Sequence, residues 1–170
     1  MTILETDRLI LRRLTSGDAA FILDLLNQPS FLRYIGDKGV RTREDAISYI
    51  ETGPMASYER FGFGLYRVAL KDTGTPIGMC GLLKRDSLPD VDIGFAFLPD
   101  YWSAGYALEA ANGVMNYGHS MGLKRIVGIT SLDNEASIKL LGKIGMKFEG
   151  TIKLADDQPE VKLFSKTLPD

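Results

Sequence analysis

Cysteine and histidine occur once each, as Cys80 and His119. A disulfide within the chain is therefore excluded. Zinc sites of the finger or ribbon kind need four such ligands and are excluded with it. At most one Ser–His or Cys–His pairing is left for nucleophilic catalysis. No apolar run approaches the ~20 residues that span a bilayer. No basic block or stripe stands out among 20 Lys and Arg set against 22 Asp and Glu, so a nucleic-acid footprint is missing. Residues 1–7 carry acids where a secretory signal carries bases, which makes a cytoplasmic location the expectation. There is no internal repeat, low-complexity stretch or Pro/Gly-rich linker. Any chemistry must come from backbone, carboxylates, hydroxyls or a bound cofactor.

What is present suits a soluble enzyme. A chain of 170 residues fits one domain, residues 1–170, able to bury about two-thirds of its unfolded surface. Residues 8–13 read as a first strand. Thr15, with Asp18 three residues on, opens a helix whose apolar positions are Ala19, Ile22, Leu23, Leu25 and Leu26, and which Pro29 ends. Thr42 and Asp45 open a second, interrupted at Gly53-Pro54. Residues 62–70, 76–83 and 91–98 then read as three strands of an antiparallel meander, with turns at 72–75 and 86–90. A helical stripe follows at Ala107, Ala111, Val114, Met115, Gly118 and Met121, then a β-branched strand at 124–131. Strand, helix, strand is a βαβ unit, so strands 91–98 and 124–131 should lie parallel. A helix at 134–144 and a hairpin of 147–153 with 160–168 close the chain. The expected class is α+β. The order is β-α-α-β-β-β-α-β-α-β-β, a mixed, mainly antiparallel sheet of about seven strands with helices on both faces.

The stretch from Leu98 to Ala107 links a strand to a helix. Such a link sets the helix's free N–H groups and its dipole at the end of the sheet, where they favour an anion. Gly105 and the small Ser103, Ala104 and Ala107 allow a phosphate close to the backbone. Steric need for one glycine at a strand–helix link would explain the same residues. P-loop and GxGxxG patterns are absent.

The run from Asp92 to Ala110, DIGFAFLPDYWSAGYALEA, closely resembles the central motif of the GCN5-related N-acetyltransferases (GNAT). It is most similar to the branch holding the ribosomal-protein N-terminal (alanine/serine) acetyltransferases. Residues 134–146 (NEASIKLLGKIGM) with Glu149-Gly150, and the opening residues 5–12 (ETDRLILR), resemble the same branch. The likeness covers essentially the whole chain. It implies acetyl-CoA as co-substrate, no metal, and direct transfer of the acetyl group to a primary amine. The acceptor is a protein N-terminus or a small molecule such as an aminoglycoside, polyamine or amino acid. A non-catalytic CoA-binding sensor is the alternative of another class. A monomer or homodimer is expected, with no nucleic-acid or membrane partner.

The resemblance also implies roles. In the family's Q/R-x-x-G-x-G/A loop, Trp102, Gly105 and Ala107 take the first, fourth and sixth places, and Ser103, Ala104 and Tyr106 complete the cradle. Trp102 in place of a cation leaves pyrophosphate binding to backbone and helix dipole. The pantetheine arm would pair with backbone at Phe97 and Leu98, and the Leu98 N–H would polarise the thioester carbonyl. Asn134 would bond the pantetheine amides, and Ser137 would be the general acid. Asp92 is the candidate base, unless it is a strand-edge carboxylate in solvent or a water chain replaces it. Ser137 reads equally as a helix-start hydroxyl on backbone, and Lys143 as a CoA-phosphate contact or a solvated lysine. Glu109 complements the dipole of its helix. Asp86, Asp90 and Asp92 hint at a groove for a basic partner or at a solvated turn. Cys80 and His119 read as bystanders. Among Phe31, Tyr34, Tyr49, Tyr58, Phe61, Phe63 and Tyr66, most are expected in the core and one or two at the amine site.

Overall fold

The computed structural model describes residues 2–170. They form an eight-stranded sheet in the order β1-β2-β3-β4-β5-β6-β8-β7. The strands are β1 (Thr2–Glu5), β2 (Leu9–Arg13), β3 (Leu65–Leu70), β4 (Pro76–Leu83), β5 (Val91–Phe97), β6 (Arg125–Ser131), β7 (Lys147–Lys153) and β8 (Glu160–Thr167). Every neighbouring pair is antiparallel except β5 with β6, which is parallel as the βαβ reading requires. The expected class and strand order hold, with an extra strand, β1, at the sheet's edge and two further short helices before the meander. β1 is four residues long and half exposed, too short to show a period.

The helices are α1 (Ala19–Leu26), α2 (Pro29–Tyr34), α3 (Arg43–Ile50), α4 (Ala56–Phe61), α5 (Tyr106–Ser120) and α6 (Glu135–Lys143). Pro29 does end α1. It also starts α2 from the first helical position, where proline's missing N–H costs nothing. Thr42 caps α3 as expected: its Oγ1 accepts from Asp45 N at 3.1 Å, and Thr42 N donates to Asp45 Oδ2 at 3.2 Å. The expected break at Gly53-Pro54 is instead a wide π turn, Glu51–Met55, which accommodates the proline and runs on into α4.

Two apolar clusters flank the sheet. On one face α5 sets Ala110, Ala111, Val114 and Met115 against Leu9, Leu11, Val68 and Leu82. The two alanines let the helix approach closely. On the other, Ile22, Leu25 and Leu26 of α1 and Ala46 and Ile50 of α3 cover Leu65 and Met79. Helices on both faces hold β5 and β6 in the middle of the sheet.

The central feature is what β5 and β6 fail to do. Their pairing consists of Val91 with Ile126, Asp92 with Val127 and Ile93 with Gly128, and then stops. Beyond that point β5 stays on β4 as far as Phe97 against Gly78. β6 stays on β8 as far as Ser131 against Val161. Each strand satisfies its outer partner, so the two diverge and a wedge opens between them.

Candidate active site

The wedge is part of a cleft of about 540 Å³. Its floor is Phe95, Ala96 and Phe97; Trp102, Ser103 and Gly105 to Leu108 form one wall, from which the expected Ala104 is turned away; Asn134, Ser137, Lys139 and Lys143 form another; Phe31 and Tyr34 of α2 lie opposite. Of the seven aromatics singled out from the sequence, these two line the cleft. Tyr58, Phe63 and Tyr66 are core.

The loop before α5 is built from backbone turned inward. Ser103 has φ of 64°, a left-handed conformation that no other non-glycine takes among the described residues. Gly105, at φ 84°, is the N-cap of α5 and offers no side chain to cap it. The first backbone bond across the start of the helix runs from Glu109 N to Gly105 O at 3.0 Å. The N–H groups of Tyr106, Ala107 and Leu108 therefore have no intrahelical acceptor and are available to an anion. Trp102 holds the loop to the strand, donating from Nε1 to Phe97 O at 2.9 Å.

Leu98 requires a correction. Its N–H donates to Ile77 O at 2.9 Å, as the last rung of the β4–β5 ladder. It cannot also polarise a thioester in the wedge. N–H groups alternate in direction along a strand. With Leu98 turned to β4, the N–H groups of Phe95 and Phe97 face the open side.

Asp92 also departs from its expected setting. It is fully buried where β5 and β6 still pair and does not line the cleft. Its Oδ1 and Oδ2 accept from Arg85 Nε at 3.1 and 3.3 Å. Burial raises its pKa to about 6 despite the opposing pull of Arg85. It is neither a solvated edge carboxylate nor a base in contact with the cleft. Asp90 is paired with Arg125 at 3.1 Å. With two of the three acids neutralised, the hint of an acidic groove does not survive.

On the far wall, Asn134 caps α6, its Oδ1 accepting from Ser137 N at 3.2 Å. This leaves the Asn134 amide free to donate. Ser137 is buried against the cleft, and its Oγ makes no hydrogen bond among the described residues. The backbone-bonded alternative for this hydroxyl is thus not what the structure shows. Lys143 lines the cleft, and Lys139 joins it one turn earlier. Lys139 was missed, although spacing of four on a helix is the signal that would have found it.

Glu109 is where the dipole argument put it, but its partners come from far away. Thr6 Oγ1, Arg8 N (2.9 Å) and Arg8 Nε (2.7 Å) all donate to it. Burial opposes its charge, but these bonds outweigh burial and its pKa falls below the ordinary value. Arg8 was not singled out: it lies in the 5–12 stretch that resembles the family branch, but nothing local tied it to Glu109. Cys80 is enclosed in the core, where burial pushes its thiol pKa up. His119 Nε2 lies 2.7 Å from Pro169 O, away from the cleft. Among the described residues, no helix is long and apolar enough to cross a membrane. None of their His, Cys, Asp and Glu side chains gather into a group of three or more that could hold a metal.

A splayed parallel pair leading to an uncapped helix start defines an α+β fold with an anion-accepting loop at the centre of its sheet. Residues 8–147 match the family described as acetyltransferase (GNAT) domain, and the chain belongs to that family. The uncharacterized N-acetyltransferase YoaA of Bacillus subtilis is 37% identical over 154 residues, 89% of this chain and 86% of the relative. The solved GNAT-family acetyltransferase of Bacillus anthracis is 26% identical with a TM-score of 0.80, covering 98% of each chain. RimL, a ribosomal L7/L12 α-N-protein acetyltransferase solved with coenzyme A, is 16% identical. It shares the fold at a TM-score of 0.82, over 99% of this chain and 98% of that one.

Proposed function

We propose that this chain, working as one domain, transfers the acetyl group of acetyl-CoA directly to a primary amine, with a protein N-terminus as the acceptor. The carrying observation is the wedge between β5 and β6 leading to the uncapped start of α5. The residues fit the co-substrate. Free N–H groups at 106–108, the φ 84° glycine and the cleft lysines suit a pyrophosphate. The bare edge of β5 suits an amide-bearing arm.

Acetyl-CoA supplies a ready-made electrophile, so the protein has little covalent chemistry of its own to do. The loop at 102–107 with Lys139 and Lys143 binds the phosphates. The N–H groups of Phe95 and Phe97 hold the arm and give a donor to the thioester oxygen, the task first expected of Leu98. Asn134 donates its amide to the arm. Ser137 Oγ holds a proton at the cleft wall, free of any backbone acceptor, and gives it to the departing thiolate. The incoming amine loses its proton to water reaching the cleft, since Asp92 is sealed beneath it.

The choice of a protein N-terminus rests on the branch resemblance of residues 5–12 and 134–150 and on the likeness to RimL. The test is release of free thiol from acetyl-CoA in the presence of peptide N-termini and small amines in parallel. We expect release with peptides, and a fall in kcat of about 100-fold in Ser137→Ala with KM little changed. Turnover with small amines alone would reassign the acceptor. Tight CoA binding without any release would make the protein a sensor.

A further inference from the structure

The loop that meets the phosphates carries no cation at its first place, where Trp102 stands. A guanidinium nevertheless reaches it from 96 residues away in the sequence. Arg8, just before β2, donates from Nη1 to Ala104 O at 3.0 Å and from Nε to Glu109 Oε1 at 2.7 Å. Its Cζ lies 4.3 Å from the centre of the Tyr106 ring. Its Nη2 lies 3.3 Å from where a side chain on Gly105 would begin. One side chain thus touches residues 104, 105, 106 and 109. It does so from behind, since Arg8 is not among the residues lining the cleft.

Two physical consequences follow. In a planar trans peptide, C=O and N–H point in opposite directions. Holding the Ala104 carbonyl towards Arg8 directs the Gly105 N–H the other way, to the side where the cleft lies. It also turns the carbonyl's negative end away from an incoming phosphate. The second consequence is electrostatic. Glu109 sits in the first turn of α5 and would repel an anion at the helix start. Arg8 and Thr6 engage both of its oxygens and offset that charge.

We propose that Arg8 is a positioning residue for phosphate recognition: it orients the Ala104–Gly105 peptide towards the ligand and neutralises Glu109 beside the helix start. The inference rests on the reading of this loop as the CoA phosphate cradle. It adds a determinant just before β2 that the loop sequence does not contain. Because Arg8 is 45% exposed, its effect comes from geometry more than from bare Coulomb attraction.

The test is calorimetric titration of the unaltered chain, Arg8→Ala and Arg8→Lys with three probes. Coenzyme A carries both halves of the ligand. 3′-Phospho-ADP carries the phosphates without the arm, and pantetheine carries the arm without the phosphates. Circular dichroism and thermal melting confirm the fold of each variant. Arg8→Ala should raise Kd at least fivefold for coenzyme A and for 3′-phospho-ADP, and leave pantetheine within twofold. Arg8→Lys keeps a cation but not the two-pronged fork, and should fall between. It serves alone if the alanine variant does not fold. Equal loss for all three probes makes Arg8 a general prop of the cleft and overturns the proposal. Unchanged binding of coenzyme A overturns it as well. No binding of coenzyme A to the unaltered chain removes the phosphate-cradle reading itself, and this inference with it.

Discussion

The two ends of β5 each lie beside an arginine–carboxylate pair, and the pairs behave oppositely. At the start of the strand Arg85 meets Asp92 at 3.1 Å; beyond its end Arg8 meets Glu109 at 2.7 Å. The Asp92 side chain is 1% exposed and shares one N–H between its two oxygens. Glu109 is 19% exposed and has three donors. Burial wins at Asp92 and raises its pKa to about 6; donors win at Glu109 and lower its pKa. An ion pair in a structure is therefore no guide to charge until the donors are counted against the burial. Glu109 is built to stay an anion and fasten a loop. Asp92 is poised to gain a proton near neutrality.

The sharpest way to break this contrast is through the pH dependence of stability. Asp92 has a native pKa of about 6 against an ordinary 3.8, so the folded state keeps a proton that the unfolded chain has already lost. Its contribution is present below the ordinary pKa and lost as pH rises through 6. Relative to Asp92→Asn, the unaltered chain should lose about 2 kcal/mol of stability between pH 4 and pH 7. Urea titrations across that range measure the difference, and a flat difference would show that Asp92 is ionised throughout. Glu109 should show the opposite sign. Glu109→Gln should cost about 1–2 kcal/mol at pH 7, through weakened charge-assisted bonds. Because the native pKa of Glu109 is lowered, that cost should shrink as pH falls below the ordinary carboxylate range. The same titrations read both variants.

The next effect is smaller and falls on binding. Gly105→Val forces a β-branched residue into φ 84° beside Arg8 Nη2. Calorimetry should show acetyl-CoA Kd raised about tenfold, or ~1.4 kcal/mol, with the melting transition retained. Unchanged affinity would detach the loop from phosphate binding. The smallest effect is expected for Trp102→Phe, which removes the bond to Phe97 O at the half-exposed edge of the loop. A loss of about 0.5–1 kcal/mol in stability and a two- to threefold weaker Kd are expected.

Much of this was legible in residue order. Periodicity and turn chemistry gave the meander, the βαβ unit and the parallel placement of β5 and β6. The glycine and small residues at 103–107 marked the loop. What escaped detection depends on distance or on direction. The pairing of Arg8 with Glu109 spans 101 residues, and no local pattern announces it. The Leu98 N–H was misassigned because a motif locates a residue but not the side to which its N–H turns. That is decided by the rung to Ile77, in a different strand. Asp92, the candidate base, stays out of the cleft because it lies where β5 still pairs with β6, enclosed beside Arg85. The π turn at Pro54 replaced an expected break because a widened turn can take a proline without ending the helix.

The splay of β5 from β6 has a mechanical consequence. Among the described residues, three residue pairs are the only ones joining the strands β1–β5 to the strands β6–β8. The sheet is thus two hydrogen-bonded blocks joined along Val91–Ile93 and Ile126–Gly128, with one apolar cluster beneath both. Backbone amides along the open stretch of β5 exchange with solvent unless something fills the gap. A ligand arm laid there would serve as a missing strand and slow that exchange.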